Sequence, residues 1–234
     1  MKLVLFDIDG TVLLSDGAGK RAVHRALVEV YGTTGPVDYR FDGKTDPQIV
    51  RELLRHDGHA DDHIDDQMPR AISRYVEMLA EELGDPGFTP RALPGVARLL
   101  DALTARSDAI VGLLTGNVVE GARAKLAAVG IDPDRFEVGA YGSDHEIRAE
   151  LPSIARQRVE SARGQHISGE DIVIIGDTPA DVECGRSLGV RAIGVATGHY
   201  SATDLMTCGA FAAFDDLSDT QAVLLAIFAP PTAR

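Results

Sequence analysis

Asp7 and Asp9 are the first residues whose types and spacing could do chemistry, in the stretch Asp7-Ile-Asp9-Gly-Thr11. Side chains alternate along an extended chain, so both carboxylates point to the same side, and Gly10 permits a tight turn after them. Neighbouring carboxylates repel each other unless a cation lies between them, which makes a Mg²⁺ site one use of the pair. In another, one carboxylate attacks while the other moves protons. Capping of a turn or helix is the alternative.

A second polar group, Thr115-Gly-Asn117, ends an apolar run and precedes a helical pattern. A hydroxyl and backbone N–H groups at the N-terminus of a helix form an anion site. We therefore expect Thr115, Gly116 and Asn117 to be able to form an anion site. A Thr or Asn cap without a ligand would have the same sequence.

The third polar group is Gly176-Asp177-Thr-Pro-Ala-Asp181, again directly after an apolar run. Pro179 suits the first turn of a helix, and Thr178 suits its cap. Asp177 would then lie on the same rim as Asp7, with Asp181 one turn further along. These aspartates would complete a metal site built from carboxylates, a carbonyl and water.

The polar groups need a scaffold, and the apolar runs indicate a parallel β-sheet. The runs at 2–6, 109–114, 172–175 and 190–195 are typical of strands that are buried on both faces. Helical patterns at about 95–105, 118–129, 149–164 and 179–189 separate them. Alternating strands and helices predict an α/β fold, a Rossmann-like three-layer core with helices on both faces of the sheet.

The pattern changes between about residues 17 and 86, where only helices are predicted, at 18–31, 46–56 and 68–83. A glycine- and proline-rich stretch from Gly84 to Pro94 ends this region. We therefore expect residues 1–16 and 87–234 to form the α/β core and residues 17–86 to form an inserted, all-helical cap. An insertion after the first strand lies above the strand ends, where open α/β sheets bind ligands.

Taken together, the three polar groups resemble the motifs of the haloacid dehalogenase superfamily of phosphohydrolases, and the resemblance covers nearly the whole chain. Asp7, Asp9, Gly10 and Thr11 match the opening DxDGT signature, and Thr115 matches the hydroxyl residue that ends a later strand. The final GDxxxD signature is matched by the residues Gly176, Asp177 and Asp181. The helical insertion looks like the helical cap of the phosphoglycolate phosphatase-like members.

The resemblance implies a Mg²⁺-dependent phosphatase that acts on a small phosphorylated metabolite in two steps. Asp7 would attack phosphorus and form an aspartyl phosphate, while Asp9 would first protonate the leaving oxygen and then activate water. Mg²⁺ would be held by Asp7, Asp177 and the backbone carbonyl of Asp9, with Asp181 mainly in the surrounding shell. Thr115 and the N–H groups of the next two residues would bind phosphoryl oxygens.

One position departs from the family pattern, because the family usually places a lysine between the second and last motifs. Of the four lysines, only Lys125 lies in that interval, on the helix after Thr115 and about 12 Å along its axis. Arg148 lies closer to the expected place and could bind phosphate through two donors. We therefore expect Arg148 to be the phosphate-binding cation and keep Lys125 as the alternative.

The composition of the chain limits its possible partners and its location. The chain has 234 residues and a formal net charge of −13, which argues against nucleic acid or an anionic membrane surface as a partner. No stretch reaches the roughly 20 apolar residues of a membrane span, and Asp7 and Asp9 interrupt the apolar start, so we expect no signal peptide. Cys184 and Cys208 form no CxxC pair, so we expect free thiols and a cytoplasmic protein. The sequence leaves the oligomeric state open.

Three other segments have chemical alternatives. Gly17-Ala-Gly19-Lys-Arg-Ala22 has the shape of a dinucleotide loop but does not directly follow a strand. Lys44 and Thr45 resemble the end of a P-loop without its first glycine, and we expect them to be cap residues near the substrate. The stretch from His56 to Asp66, with His59 and His63 four apart, could bind a transition metal, but we expect a solvated loop.

Two other functions fit parts of the pattern. A sugar phosphomutase shares the aspartate pair and returns the phosphoryl group to a hydroxyl. A phospho-receiver module also combines carboxylates, a threonine and a basic residue on a parallel sheet. It has no large helical insertion after its first strand, however, and needs a strand-end lysine that this chain lacks.

Overall fold

The protein is described by a computed structural model that covers residues 1–230. Its strands are β1 (Lys2–Phe6), β2 (Leu13–Leu14), β3 (Arg91–Ala92), β4 (Ala109–Thr115), β5 (Val138–Tyr141), β6 (Ile172–Gly176), β7 (Arg191–Val195) and β8 (Ala212–Phe214). Its α-helices are α1 (Ala18–Tyr31), α2 (Asp46–His56), α3 (Asp61–Leu83), α4 (Val96–Thr104), α5 (Val119–Ala128), α6 (Leu151–Arg163), α7 (Pro179–Cys184), α8 (Ala202–Thr207) and α9 (Thr220–Ile227).

Six strands form one parallel sheet in the order β5-β4-β1-β6-β7-β8. The four strands predicted from apolar runs are present, and the α/β fold class is confirmed. The edge strand β5 and the three-residue strand β8 were not predicted. Both lie at the margins of the sheet and are partly exposed, so their sequences lack the continuous apolar character of the central strands.

Alternation along the central strand β1 builds a core on each face of the sheet. Val4 and Phe6 pack with apolar side chains of α4, α5 and α9, whereas Leu3 and Leu5 pack with those of α6. All four side chains are fully buried. The sheet is therefore covered by helices on both faces, as in the predicted three-layer core.

Helices α1, α2 and α3 follow one another between β2 and β3 and share a separate apolar cluster, which includes Leu27, Leu53, Leu79 and Tyr75. These helices fall within the predicted 17–86 insertion. Strands β2 and β3 pair antiparallel, and Leu13 lies opposite Ala92. This pairing joins the two connections between the helical insertion and the sheet.

Helix α3 begins at Asp61, seven residues earlier than predicted, and contains Pro69 in its interior. The expected solvated loop around His59 and His63 is therefore wrong for His63, which lies in the first turn of α3. The rings of His59 and His63 stack with centroids 5.6 Å apart, and each packs edge-on against Tyr31. In the described part of the chain, no helix is long and apolar enough to span a membrane.

Candidate active site

The three polar groups meet at one edge of the sheet because their strands are neighbours and run parallel. Asp7 follows β1, Thr115 ends β4, and Asp177 follows β6. Strand β1 pairs with β4 on one side and β6 on the other. The carboxyl ends of parallel strands meet at the same edge, so local sequence is sufficient to bring these side chains together.

Asp7, Asp177 and Asp181 form a buried acidic trio, with one carboxylate oxygen from each lying within 4.8 Å of the others. Burial is the main cause that raises the pKa of Asp177 to about 9, and the negative charges of Asp181 and Asp7 raise it further. Burial likewise raises the pKa of Asp7 to about 7, although the positive charge of Arg148 opposes this change. Each carboxylate therefore has unfavourable neighbours in the absence of a cation.

The trio fits a hard divalent cation such as Mg²⁺, which prefers oxygen ligands and relieves repulsion between carboxylates. Thr11 Oγ1 donates a hydrogen bond to Asp177 Oδ1 at 3.1 Å and fixes that side chain. The carboxylate of Asp9 is not part of the trio, so Asp9 is left with its backbone carbonyl as the expected ligand. The acidic trio could thus hold a divalent cation at the end of β1 and β6.

Two glycines allow the backbone to approach Asp177 closely. Gly10 has φ of +83°, and a Cβ there would lie 2.3 Å from Asp177 Oδ2. A Cβ on Gly198 would lie 1.9 Å from the same oxygen. Gly10 was evident from the DxDGT stretch, whereas Gly198, which comes after β7, was missed because nothing in its local sequence indicates proximity to Asp177.

Asp181 is held at the start of α7 by a capping box. The backbone N–H and the hydroxyl of Thr178 both donate to Asp181 Oδ2, at 3.0 and 2.6 Å. The other carboxylate oxygen, Oδ1, contacts Arg148 Nη2. Both oxygens of Asp181 thus have protein partners, which suits a residue that supports a metal site from its outer side.

Arg148 lies in a short 3₁₀ turn before α6 and is almost fully buried. Its Nη2 atom lies 3.2 Å from Asp7 Oδ1 and also faces the carbonyl of Leu114 at 3.4 Å. The structure therefore brings Arg148 to the acidic trio, as the sequence predicted for this cation.

Lys125, the alternative cation, also reaches the site. Its Nζ atom lies 2.6 Å from Asp9 Oδ2 and 2.6 Å from Asn117 Oδ1. Asn117 Nδ2 donates to the same Asp9 oxygen at 2.8 Å and to Thr115 Oγ1 at 2.8 Å. The two cations therefore serve different carboxylates.

The helical insertion adds Asp46, which the sequence analysis missed. Its backbone N–H donates to Gly116 O at 2.7 Å, and its Oδ2 accepts from the N–H of Val118 at 2.8 Å. A Cβ on Gly116 would lie 1.9 Å from the carbonyl oxygen of Lys44, so this glycine also allows the insertion to approach. Burial raises the pKa of Asp46 to about 6, and the charge of Lys125 lowers it.

A cavity of about 710 Å³ lies between the sheet edge and the helical insertion. The sheet side contributes Asp7, Asp9, Asn117 and the two cations, while the insertion contributes the basic and aromatic residues Lys20, Tyr39, Arg40, Phe41 and Lys44. Lys44 Nζ lies 2.5 Å from Glu52 Oε2 and 4.2 Å from the centre of the Tyr39 ring. Lys44 thus lines the cavity as expected.

Comparison with protein families identifies a match to the haloacid dehalogenase-like hydrolase model over residues 4–186. The phosphoglycolate phosphatase of Synechococcus elongatus is 26% identical over 203 residues, which covers 85% of each chain. That of Cereibacter sphaeroides is 26% identical over 227 residues, covering 95% of this chain and 99% of the relative.

A solved hydrolase from Pseudomonas syringae superposes on 96% of this chain, and the match covers 98% of that structure with a TM-score of 0.72. The two sequences are 20% identical. This similarity supports the fold over 96% of this chain.

Proposed function

Because the chain belongs to the haloacid dehalogenase-like hydrolase family, we propose that it is a phosphatase that uses Asp7 as a covalent nucleophile. The observation that carries the proposal is the position of Asp7. This carboxylate lies in the wall of the cavity, inside the acidic trio, and is paired with Arg148. A nucleophile at this point meets a phosphate that enters from the cavity.

In the first step, a carboxylate oxygen of Asp7 forms a bond to phosphorus, and the bond from phosphorus to the substrate oxygen breaks. Asp9 donates a proton to that leaving oxygen, so that it departs as a hydroxyl. Both carboxylates line the cavity, and Asp9 is suited to this task because its side chain is 41% exposed, whereas Asp7 is buried.

In the second step, water attacks the phosphorus of the aspartyl phosphate, and Asp9 takes a proton from that water. The bond between phosphorus and Asp7 breaks, which releases inorganic phosphate and regenerates the carboxylate. Asp9 returns to its protonated form, so the two steps balance over one turnover.

Asp7, Asp177 and the backbone carbonyl of Asp9 would hold Mg²⁺, with Asp181 supporting the site from outside. When bound, the ion neutralises negative charge on the phosphoryl oxygens and the carboxylates. Thr115 and the N–H groups of Gly116 and Asn117 bind phosphoryl oxygens at the end of β4. Arg148 supplies positive charge beside Asp7 throughout the reaction.

The substrate we propose is a small phosphorylated metabolite, with phosphoglycolate as the first candidate because two relatives are phosphoglycolate phosphatases. We propose that the enzyme works in the reducing cytoplasm, since both cysteines are free thiols.

The test is phosphate release from a panel of phosphorylated metabolites in the presence of Mg²⁺, with Asp7→Asn as the control. The panel includes phosphoglycolate, sugar monophosphates and a sugar 1,6-bisphosphate. Net release of phosphate from one compound by the wild-type protein alone supports the proposal. Interconversion of sugar phosphates without net release would identify the mutase alternative. Absence of both reactions, with Asp7 never phosphorylated, would contradict the proposed function.

A further inference from the structure

Lys125 is buried at the junction of the sheet and the helical insertion, where a cation is costly unless it is paired. It projects from α5 towards α1, and a Cβ on Gly19 of α1 would lie 3.3 Å from its Nζ atom. Its partners are Asp9 Oδ2 and Asn117 Oδ1, both at 2.6 Å. The ammonium group of Lys125 therefore contacts Asp9, the proposed proton-transfer residue, where the insertion meets the core.

Asp9, Asn117 and Lys125 form a closed ring of hydrogen bonds. Asn117 Nδ2 and Lys125 Nζ both donate to Asp9 Oδ2, and Lys125 Nζ also donates to Asn117 Oδ1. Three donor–acceptor pairs among three side chains restrict all of their rotamers together. The other oxygen of Asp9 faces Ser15 Oγ at 3.5 Å. Asp9 Oδ2 thus accepts two short hydrogen bonds, whereas Asp9 Oδ1 accepts one long hydrogen bond.

Arg148 has a separate set of partners. Its guanidinium pairs with Asp7 and Asp181, on the metal side of the site. Lys125 pairs with Asp9, the residue that we propose for proton transfer. Each of the two buried cations thus pairs with a different catalytic carboxylate, Arg148 with Asp7 and Lys125 with Asp9.

We propose that Lys125 is a positioning residue for Asp9, which orients the proton-transferring carboxylate towards the leaving oxygen. This inference rests on the proposed phosphatase function, and it assigns Lys125 a role other than phosphate binding. Misplacement of a catalytic group by about 1 Å can slow a reaction by about a hundredfold. Lys125→Met, which keeps the length of the side chain and removes the charge, should therefore lower kcat on an alkyl phosphate by about that factor.

Three kinetic signatures separate positioning from phosphate binding. In Lys125→Met, KM and the inhibition constant for inorganic phosphate should stay within about twofold of wild type, because a positioning residue makes no ground-state contact with phosphate. Lys125→Arg, which keeps a cation, should recover at least about a tenth of the lost rate. The matched control is Arg123→Met, which removes an exposed cation from the same helix, where it pairs with Asp134.

The decisive experiment combines Lys125→Met with Asp9→Asn and follows the first turnover of p-nitrophenyl phosphate by rapid quench. This substrate has a leaving group that departs without a proton, so phosphorylation of Asp7 is measurable without Asp9. If Lys125 acts through Asp9, adding Lys125→Met to Asp9→Asn leaves the burst rate unchanged. If it binds phosphate, the double variant is slower than Asp9→Asn, and the inference is overturned.

The proposed function and this inference fail in different ways. Wild-type protein that forms no phosphoprotein and releases no phosphate would overturn both. Wild-type protein that turns over while Lys125→Met matches Arg123→Met in kcat would overturn the inference alone. Weakened inhibition by phosphate in Lys125→Met, with Arg148→Lys unaffected, would also overturn it by showing that Lys125 is the phosphate-binding cation.

Discussion

The guanidinium of Arg148 lies 3.2 Å from the carboxylate of Asp7, and both side chains are buried. Burial raises the pKa of Asp7, and the adjacent positive charge is the largest influence in the opposite direction. The residue that we propose as the nucleophile thus has a fixed counter-charge before any substrate or metal arrives. Arg148 is the residue that we propose for the role that the family usually gives to lysine.

The first prediction concerns the charge at position 148. Arg148→Ala should lower kcat/KM by about 30- to 1,000-fold, or about 2–4 kcal/mol, because it leaves the aspartyl phosphate without its counter-charge. Arg148→Lys should lose much less, since a cation remains. Steady-state kinetics on the best substrate measure both effects. Nearly wild-type kinetics in Arg148→Ala would contradict the assignment.

Asp7→Asn should abolish turnover while the protein stays folded. The amide is nearly isosteric with the carboxylate but is a poor nucleophile. Circular dichroism and thermal unfolding check the fold, and intact mass after incubation with substrate checks for the covalent adduct. A folded variant that keeps about a tenth of the wild-type rate would exclude covalent catalysis by Asp7.

Removal of divalent metal should abolish activity, because Asp7 and Asp177 repel each other without a cation between them. Treatment with EDTA followed by dialysis should give inactive protein, and Mg²⁺ should restore the rate. Ca²⁺ should restore it poorly, since it favours more ligands and longer bonds. Full activity in EDTA after dialysis would refute the metal site.

Asp9→Ala should separate the two chemical steps. With p-nitrophenyl phosphate, Asp7 should still be phosphorylated, but hydrolysis of the adduct should lack its base. We expect a burst of about one p-nitrophenolate per active site, followed by slow turnover. Rapid-quench kinetics with intact-mass detection measure both phases. Steady turnover at the wild-type rate without a trapped phosphoprotein would remove Asp9 from the mechanism.

Asp46 should make the protein less stable as the pH rises. Its pKa is raised from 3.8 in the unfolded chain to about 6 in the fold, mainly by burial, so the folded state binds this proton more tightly. The stability contributed by Asp46 is therefore fully present below about pH 3.8 and is lost as the pH rises through about 6. The shift corresponds to about 3 kcal/mol.

The check on Asp46 compares urea unfolding of wild-type protein and Asp46→Asn between about pH 4 and pH 7. Asparagine keeps an acceptor for the N–H of Val118 but does not titrate in this range. The free energy of unfolding of the wild type should therefore fall relative to that of the variant as the pH rises. Parallel curves across this range would show that Asp46 does not titrate as its burial implies.

The sequence by itself determined the parallel sheet and the meeting of Asp7, Thr115 and Asp177. Each of these residues ends a continuous apolar run, and apolar runs of this length are buried as central parallel strands. Once the parallel strands are adjacent, their carboxyl ends lie at the same edge of the sheet, and the residues that follow them are neighbours. Local sequence patterns also predicted the turn at Gly10, the place of Asp181 one turn into a helix, and the helical insertion.

Only the tertiary structure decided which carboxylate each cation serves and what the insertion contributes. Lys125 reaches Asp9 because α5 packs beneath the insertion, and Asp46 reaches the site because α2 begins against Gly116. The local sequence pattern likewise did not predict edge strand β5 or the close approach of Gly198 to Asp177. The contacts of Lys125 with Asp9 and of Asp46 with Gly116 join residues 70 or more positions apart. Periodicity reports only which face of an element is buried, and not which element covers it.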